Sequence, residues 1–157
     1  MKRSTELPSE LTVSAWMNNP EHWVVPEAYV EEAFAIMRRA GIRHLLVMKN
    51  DELLGVVTDR DLRRPNGVGE ELVSVREMYL FGDNLRVADV MTEEPVTIGP
   101  DTLTAEAARV MVENKFDCLP VLKGEKVVGI ITSSDLLAAL VYEVDPDFVA
   151  ARELEAS

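Results

Sequence analysis

Two copies of one polar motif have the residue types and spacing best suited to binding a small molecule. The segment from Gly129 to Asp135 contains a glycine, two apolar residues, a threonine, two variable residues and an aspartate, and the segment from Gly55 to Asp61 repeats that order. At a helix N-terminus, a threonine hydroxyl and free backbone amides suit a phosphate. A carboxylate one turn later has two acceptor oxygens that match the two hydroxyls of a ribose.

The motif also has a structural interpretation, because the same spacing is common where helices begin. Thr58 and Thr132 are then N-caps whose hydroxyls accept a hydrogen bond from a free amide. Asp61 and Asp135 occupy the third helical position, where the helix dipole favours a carboxylate. The two interpretations are compatible, since capping and ligand binding use the same geometry.

The motif is part of a longer internal repeat with an offset of 74 residues, which is the separation of Gly55 from Gly129. Further residues recur at this offset on both sides of the motif: Met17 with Met91, Pro26 with Pro100, Ala33 with Ala107, Met37 with Met111, and Val47 with Val121. The sequence is therefore a tandem of two like repeats.

Hydrophobic periodicity predicts a strand followed by an amphipathic helix near the start of each repeat. The predicted strands are residues 23–25 and 96–98. The apolar helix positions have helical spacing, and they are Val30, Ala33, Phe34 and Met37 in the first repeat and Leu103, Ala107, Val110 and Met111 in the second. Gly41 is placed to end the first of these helices.

A hairpin and a closing helix complete each repeat. The predicted hairpin strands are 45–48 and 53–57 in the first repeat, and 119–122 and 127–131 in the second. The first closing helix is short because Pro65 and Gly67 interrupt it, whereas the second continues until Pro146. Each repeat is therefore predicted to have the element order β-α-β-β-α.

The repeats divide the chain into five predicted segments. In chain order they are a loose N-terminal tail at 1–10, the first unit at 11–65, a connecting segment at 66–86, the second unit at 87–145 and a C-terminal tail at 146–157. Leu72, Val75 and Tyr79 have helical spacing, so the connecting segment is predicted to contain a short helix.

Charge and cysteine content exclude several classes of function. The 16 Lys and Arg residues against 28 Asp and Glu residues give a net charge of −12, and a nucleic-acid polymer as partner would need a basic field instead. Cys118 is the single cysteine, which excludes an internal disulfide and a CxxC site. No window reaches the roughly 18 apolar residues of a membrane span, and no secretory signal is visible. We therefore expect a cytoplasmic location without membrane insertion.

No catalytic constellation, metal site or required cofactor is predicted. His22 and His44 are the only histidines, and the sequence has no HExxH, GxSxG or Walker pattern. The carboxylates are not paired for acid/base chemistry and are typical of a solvated acidic surface. The sequence therefore predicts a protein that is not an enzyme.

The duplicated pattern resembles a pair of CBS domains, the regulatory modules named after cystathionine β-synthase. The segments that carry the resemblance are Val87-Ala88-Asp89-Val90-Met91-Thr92, Pro100-Asp101, Cys118-Leu119-Pro120-Val121, the Gly129-to-Asp135 motif, Ile42-Arg43-His44-Leu45-Leu46-Val47 and Asp59-Arg60-Asp61-Leu62-Arg63. The resemblance covers about residues 11–140. With the run from Glu113 to Pro120, the chain is further similar to acetoin-utilisation B-type CBS proteins that lack an ACT domain. One departure is Leu46 in place of a proline, which is expected to change the strand locally.

The resemblance implies an α+β fold of two small CBS-type β-α-β-β-α units that pack with pseudo-two-fold symmetry. It also implies two clefts between the units for an adenosyl ligand. The implied ligand is AMP, ADP, ATP or S-adenosylmethionine. Binding would be passed as a conformational change to a partner enzyme or transporter. The resemblance also implies a homodimer. For its interface, the apolar helix residues Phe34, Met37, Val110 and Met111 are expected to continue into a neighbour's surface.

The resemblance further implies that each cleft combines the motif of one unit with the residues before the hairpin of the other. One cleft is expected to contain Trp16, Ile42, Arg43, His44, Ile130, Thr132, Ser134 and Asp135. The other is expected to contain Thr58, Arg60, Asp61, Val90, Phe116 and Cys118. In the second cleft Asp117 takes the place of Arg43 and repels phosphate. The cleft with Asp135 is therefore expected to bind phosphorylated ligands more tightly.

A second hypothesis is an assembly module in which both motifs are only helix caps and the clefts stay empty. The placement of cations distinguishes the two hypotheses, because assembly needs no partner for phosphate. The cations next to the motifs, although the chain is acidic overall, are Arg43, His44, Arg60, Arg63 and Arg64. A solvated surface explains Arg63 and Arg64, but it explains less well why Arg43 and His44 come directly before a buried strand. This placement favours the ligand sensor.

Overall fold

The computed structural model describes residues 11–63, 85–145 and 147. In chain order its elements are α1 Val13–Trp16, β1 Trp23–Val24, α2 Val30–Ala40, β2 His44–Lys49, β3 Glu52–Thr58, α3 Asp59–Arg63, α4 Val87–Val90, β4 Thr92–Glu93, α5 Thr104–Asn114, β5 Cys118–Lys123, β6 Lys126–Thr132 and α6 Ser133–Val144. The predicted N-terminal tail, the connecting helix, Pro65 with Gly67, and nearly all of the C-terminal tail lie outside the described residues.

The described residues form two compact units, and these do not follow the order of the repeats. The four-stranded unit consists of residues 20–63, 85–96 and 125–127, and the two-stranded unit consists of residues 11–19, 97–124, 128–145 and 147. The opening segment of each repeat, 11–19 or 85–96, therefore folds with the hairpin of the other repeat. Sequence boundaries drawn around the repeats do not describe this exchange.

Hydrogen bonds from the backbone or from a side chain hold each opening segment in its unit. In the two-stranded unit, the Val13 N–H donates to Thr102 O over 2.8 Å. In the four-stranded unit, the guanidinium of Arg86 lies 3.6 Å from the centroid of the Tyr29 ring and donates to Glu27 O over 2.9 Å. A cation over an aromatic face adds to the hydrogen bond, so the second opening segment is fixed at its first residues.

The four-stranded unit contains a sheet with the strand order β1-β2-β3-β4. β1 pairs with β2 in parallel, and the other two pairs are antiparallel. The turn between β2 and β3 has φ angles of 53° at Asn50 and 62° at Asp51. Two successive left-handed residues are what a tight hairpin requires, so the predicted hairpin is confirmed.

Helix α2 supplies the core of the four-stranded unit with the apolar face that the sequence predicted. Val30 and Ala33 are buried, and Phe34 packs against the same cluster. Gly41 ends the helix with a left-handed φ of 67°, a conformation that glycine adopts without steric cost.

The core of the two-stranded unit combines α1, α5 and the β5-β6 hairpin. Val13 from α1 lies in one buried cluster with Ala107 from α5 and Ile131 from β6. The polar turn of the hairpin contains Gly124 with φ of 63°. Helix α6 follows β6 directly and extends to Val144, as the sequence predicted. No helix in the described part of the chain is long and apolar enough to cross a membrane.

Two of the residues expected at an interface between copies are instead core residues. Met37 is 2% exposed and Met111 is 5% exposed, each within the cluster of its own unit. Their helices turn the predicted apolar face inward, because that face covers the hairpin of the unit. The predicted helix faces are thus confirmed, and the expectation that these methionines reach a neighbour is wrong.

The strand predicted early in the second repeat is reduced to an isolated parallel bridge between Ile98 and Val121. The Ile98 N–H donates to Pro120 O over 3.1 Å, and the Leu122 N–H donates to Ile98 O over 2.8 Å. Pro120 and Leu122 thus direct their backbone polar groups toward the segment that contains Ile98. Because proline has no N–H, Pro120 cannot donate the next hydrogen bond on that side of β5, and the pairing stops at one bridge. In the first repeat Leu46 takes that position, and β1 pairs with β2 at two positions.

A close backbone approach explains the glycine of each polar motif. A Cβ atom at Gly129 would lie 2.8 Å from Asn18 O, and one at Gly55 would lie 2.6 Å from Thr92 O. In both places the sulfur of the preceding methionine also lies within 3.0 Å of that Cβ. Only glycine allows the opening segment to lie this close to the hairpin.

We predict that Gly129→Ala and Gly55→Ala each lower the free energy of unfolding by about 1 to 3 kcal/mol, because backbone atoms must move to admit the methyl group. Gly99→Ala is the control, since the nearest atom to its Cβ is 3.8 Å away. Its effect is expected to stay within about 0.5 kcal/mol. Urea denaturation measures all three variants. Equal stability of Gly129→Ala and Gly99→Ala would contradict the close approach.

Candidate functional site

The two polar motifs form capping boxes at the starts of α3 and α6. The Thr58 N–H donates to Asp61 Oδ2 over 2.8 Å, and the Asp61 N–H donates to Thr58 Oγ1 over 3.2 Å. The Thr132 N–H donates to Asp135 Oδ2 over 2.7 Å, and the Asp135 N–H donates to Thr132 Oγ1 over 3.3 Å. These reciprocal pairs confirm the predicted caps.

The carboxylate of Asp135 has two further donors on the same oxygen. Thr132 Oγ1 and Asn18 Nδ2 each donate to Asp135 Oδ2 over 2.9 Å. Asn18 exchanges two backbone hydrogen bonds with Ile130, of 2.8 Å and 3.0 Å, which fix its position. Sequence analysis missed Asn18. The available signal was the difference between Asn18 and Thr92 at the 74-residue offset.

Part of each helix start is already occupied by the protein itself. The first helical amide donates to a backbone carbonyl, and the third donates to the threonine hydroxyl. The second residue, Arg60 in α3 and Ser134 in α6, is exposed and accounts for the donor that remains at each start. A phosphate there can use this amide and its side chain, which is fewer backbone donors than the sequence suggested.

The residues that the sequence assigned to the two clefts are divided between the units. Trp16, Ile130, Thr132, Ser134, Asp135, Phe116 and Cys118 lie in the two-stranded unit. Ile42, Arg43, His44, Thr58, Arg60, Asp61 and Val90 lie in the four-stranded unit. Each predicted cleft therefore takes residues from both units.

Several predicted contact residues have their apolar atoms in a core. Val90, Ile42 and Phe116 pack against the core of their own unit while staying partly exposed. Trp16 makes an edge contact with Tyr142 of α6, with ring centroids 5.5 Å apart. These positions stabilise the units by burial, and their exposed fractions are what remains for a ligand.

In the four-stranded unit, the hairpin places the motif beside the unit's own residues before β2. His44 pairs with Thr58 across the two strands. The Asp59 N–H donates to Arg43 O over 2.9 Å. The Asp61 motif therefore adjoins the backbone of Arg43, whose side chain is exposed.

The two-stranded unit has the equivalent arrangement, with an acidic residue in place of the arginine. The Ser133 N–H donates to Asp117 O over 2.9 Å, so the Asp135 motif adjoins Asp117. The sequence grouped Asp135 with Arg43, and Asp61 with Asp117, across the two units. That grouping stays a prediction, as does the order of affinities that follows from it.

The described residues contain no group of three or more His, Cys, Asp or Glu side chains arranged to hold a metal ion. The groups that the motifs themselves offer are hydrogen-bonding groups. Each has a carboxylate and a hydroxyl at a helix start, with one adjacent exposed side chain. Such a set binds hydroxyl groups and anionic groups.

Comparison with known sequences assigns both repeats to one family. The family model described as the CBS domain matches residues 13–65 and 87–142. Inosine-5'-monophosphate dehydrogenase of Korarchaeum cryptofilum is 34% identical over 114 residues, which are 72% of this chain and 21% of that enzyme. The mitochondrial CBS domain-containing protein CBSX3 of Arabidopsis thaliana is 29% identical over 126 residues, 77% of this chain and 57% of that protein. The chain thus spans less than two thirds of either relative.

Solved structures agree with this assignment and with the α+β fold. CBSX2 of Arabidopsis thaliana has a TM-score of 0.71 at 28% identity, covering 83% of this chain and 94% of that one. CBSX2 in complex with AMP has a TM-score of 0.68 at 27% identity, covering 83% and 96%. The Vibrio cholerae structure described as an acetoin utilization protein, AcuB, has a TM-score of 0.69 at 26% identity, covering 88% and 97%. With one CBS domain in each repeat, the chain belongs to the CBS-domain family and is a tandem CBS pair, a regulatory module.

Proposed function

We propose that this CBS pair is a non-enzymatic ligand sensor that binds AMP, ADP, ATP or S-adenosylmethionine and signals occupancy by a conformational change. The observation that carries the proposal is the state of the two aspartates. Each uses Oδ2 for its capping box, while no described residue donates to Oδ1 of Asp61 or Asp135. Each helix start thus keeps at least one acceptor oxygen for a ribose hydroxyl. The binding of AMP by CBSX2, at 27% identity, supports this choice of ligand.

In the proposed complex, the ribose lies against the aspartate of each motif and the phosphate lies near the cations. Arg43 and Arg60 are exposed and carry the charge that a phosphate needs. Ile130 and Trp16 are partly exposed and offer apolar surface to the adenine. The regulated partner is an enzyme or a transporter in the cytoplasm. The match to a segment of a dehydrogenase supports an enzyme as partner.

We predict that millimolar AMP, ADP, ATP or S-adenosylmethionine raises the melting temperature of the wild-type protein. A ligand at 100 times its Kd stabilises the folded state by about 2.7 kcal/mol. The double variant Asp61→Ala with Asp135→Ala is the control and is expected to show no shift, because both acceptors are gone. No shift of the wild type with any of the four ligands would contradict the sensor and favour the assembly module.

We also predict that Asp135→Ala and Arg43→Ala weaken nucleotide binding far more than Asp61→Ala. A charge-assisted contact contributes about 1.5 to 3 kcal/mol, so a cation in place of an anion separates the two affinities by about tenfold or more. Isothermal calorimetry counts the sites and their affinities. Loss of the tighter site in Asp61→Ala, with its retention in Asp135→Ala, would overturn the assignment.

A double-mutant cycle identifies the carboxylate that shares a ligand with Arg43. Coupling of Arg43→Ala with Asp135→Ala in nucleotide affinity supports the grouping across the units. Coupling with Asp61→Ala instead would assign Arg43 to the motif that its backbone adjoins within the four-stranded unit.

The second candidate function, assembly, is favoured by an apolar stripe on the exposed face of α6. Its members recur at i, i+3, i+4 and i+7, and they are Leu137, Leu140, Val141 and Val144, the last 82% exposed. Helix α5 packs beside α6 and exposes Val112 to 77%. Exposed apolar groups at such spacing are typical of a contact surface.

A second copy of this chain is the occupant that best fits the stripe. Exposed acidic residues, Glu143 and Asp145, lie at the end of α6. The exposed basic residues near Val112 are Arg109 on α5, which also pairs with Glu106, and Lys115 directly after the helix. In a two-fold dimer, α6 of one copy can face α5 of the other. Apolar groups then meet apolar groups and opposite charges meet at the border. We therefore propose that the module acts as a homodimer through α5 and α6.

We predict that Val144→Glu converts this dimer to a monomer, because the new carboxylate is placed inside an apolar contact. Val96→Glu is the matched control, since Val96 is exposed but lies outside the stripe. Light scattering at micromolar concentration measures the mass of each protein. A monomeric wild type, or a dimeric Val144→Glu variant, would count against the proposed surface.

A further inference from the structure

The hydrogen bond from Asn18 to Asp135 makes the two motifs different. At the equivalent place in the four-stranded unit stands Thr92, and no described side chain from outside the capping box donates to Asp61. Both helix starts share the reciprocal box, and in α6 the Thr132 hydroxyl also donates to Asp135 Oδ2 over 2.9 Å. The contribution from outside the box is one amide group, supplied by the opening segment of the first repeat to the helix start of the second.

Chemistry fixes the orientation of the Asn18 amide. An ionised carboxylate only accepts hydrogen bonds, so the group that faces Asp135 Oδ2 at 2.9 Å must be the NH₂ of Asn18. The carbonyl oxygen, Oδ1, is then the amide atom that does not take part in this hydrogen bond. The side chain is exposed, and no described residue donates to Asn18 Oδ1. Asn18 thus places a free acceptor beside the carboxylate.

The carboxylate itself has one oxygen left. Asp135 Oδ2 accepts from the Thr132 amide, the Thr132 hydroxyl and the Asn18 amide, so three donors already surround it. A carboxylate oxygen has about two lone-pair sites. Asp135 can therefore receive a diol through Oδ1 but not through both oxygens. At Asp61, where Oδ2 accepts from the Thr58 amide, both oxygens keep capacity.

We propose that Asn18 is a ribose-contacting residue of the Asp135 site. Its Oδ1 accepts a hydrogen bond from one of the two ribose hydroxyls, while Asp135 Oδ1 accepts a hydrogen bond from the other. The Asp61 site, which has no such amide, receives both hydroxyls on its carboxylate. The inference rests on the proposed binding of an adenosine ligand, and it assigns the two sites different modes of recognition of the same sugar.

The test uses Asp61→Ala protein, in which the Asp135 site alone remains, and calorimetric titration with AMP, 2'-deoxy-AMP and 3'-deoxy-AMP. Removal of either hydroxyl is expected to weaken binding roughly 3- to 10-fold, the worth of one hydrogen bond. In the same background, Asn18→Ala is expected to weaken the binding of AMP by a similar factor. The penalty for one of the two deoxy ligands should then disappear, because its hydroxyl has lost its acceptor.

Two further variants in the same background complete the design. Thr92→Ala removes the equivalent side chain of the other unit and is expected to leave all three affinities unchanged. Asn18→Thr installs the residue type of position 92 and is expected to lose the penalty for the same deoxy ligand as Asn18→Ala, because Asp135 Oδ2 still accepts from the Thr132 amide and hydroxyl. This variant preserves an exposed polar side chain and so separates recognition from a simple loss of structure.

The outcomes separate the inference from the proposed function. If Asn18→Ala weakens AMP and both deoxy ligands equally, Asn18 only supports the fold and the inference is overturned, while nucleotide binding stands. The inference is also overturned, and nucleotide binding again stands, if AMP binds the wild type but not the Asp61→Ala protein. If wild type binds no AMP, the inference and the proposed AMP binding fall together.

Discussion

The close approach between a glycine and the opening segment of a repeat is the constraint on which the rest of the structure depends. At Gly55 and Gly129 a backbone oxygen lies where a Cβ atom would need space. The contact joins a segment to a hairpin that is distant in sequence. It also positions the polar motif, because the threonine follows the glycine by three residues on the same strand. The glycine therefore has a packing role, and the threonine and aspartate have the chemical one.

Stability and recognition meet in one carboxylate at each helix start. Through Oδ2, Asp61 and Asp135 complete the capping boxes whose N-caps are the threonines, and an N-cap contributes about 0.5 to 2 kcal/mol. A charge-assisted contact with a ligand has a similar magnitude, about 1.5 to 3 kcal/mol. Because both terms are small beside the total stability of a domain, about 5 to 15 kcal/mol, the aspartates can serve both purposes. In each aspartate Oδ2 serves the capping box, while Oδ1 accepts no hydrogen bond from a described residue.

Local features of the fold were predictable because they depend on neighbours in sequence. The turn at Asn50 and Asp51 and the caps at the two threonines follow from residue type alone. The exchange of opening segments was not predictable, since periodicity reports the conformation of a segment and not the hairpin that it joins. The prediction of a strand at 96–98 was wrong in its length because its pairing is limited by Pro120, which lies 22 residues after Ile98 in the sequence. Asn18 was missed because one exposed polar residue forms no pattern.

The exchange of opening segments has a consequence for how the chain folds. The contact between Asn18 and Asp135 joins residues separated by 117 positions, and the segment 85–96 must reach the β2-β3 hairpin across the whole connecting region. Long-range closures are entropically costly and slow. During synthesis the β2-β3 hairpin leaves the ribosome before the segment 85–96 has been made. The apolar surface that this segment covers is therefore exposed during that time. We therefore expect each hairpin to form early and to bind its opening segment late. Between these two steps the exposed apolar surface can cause aggregation.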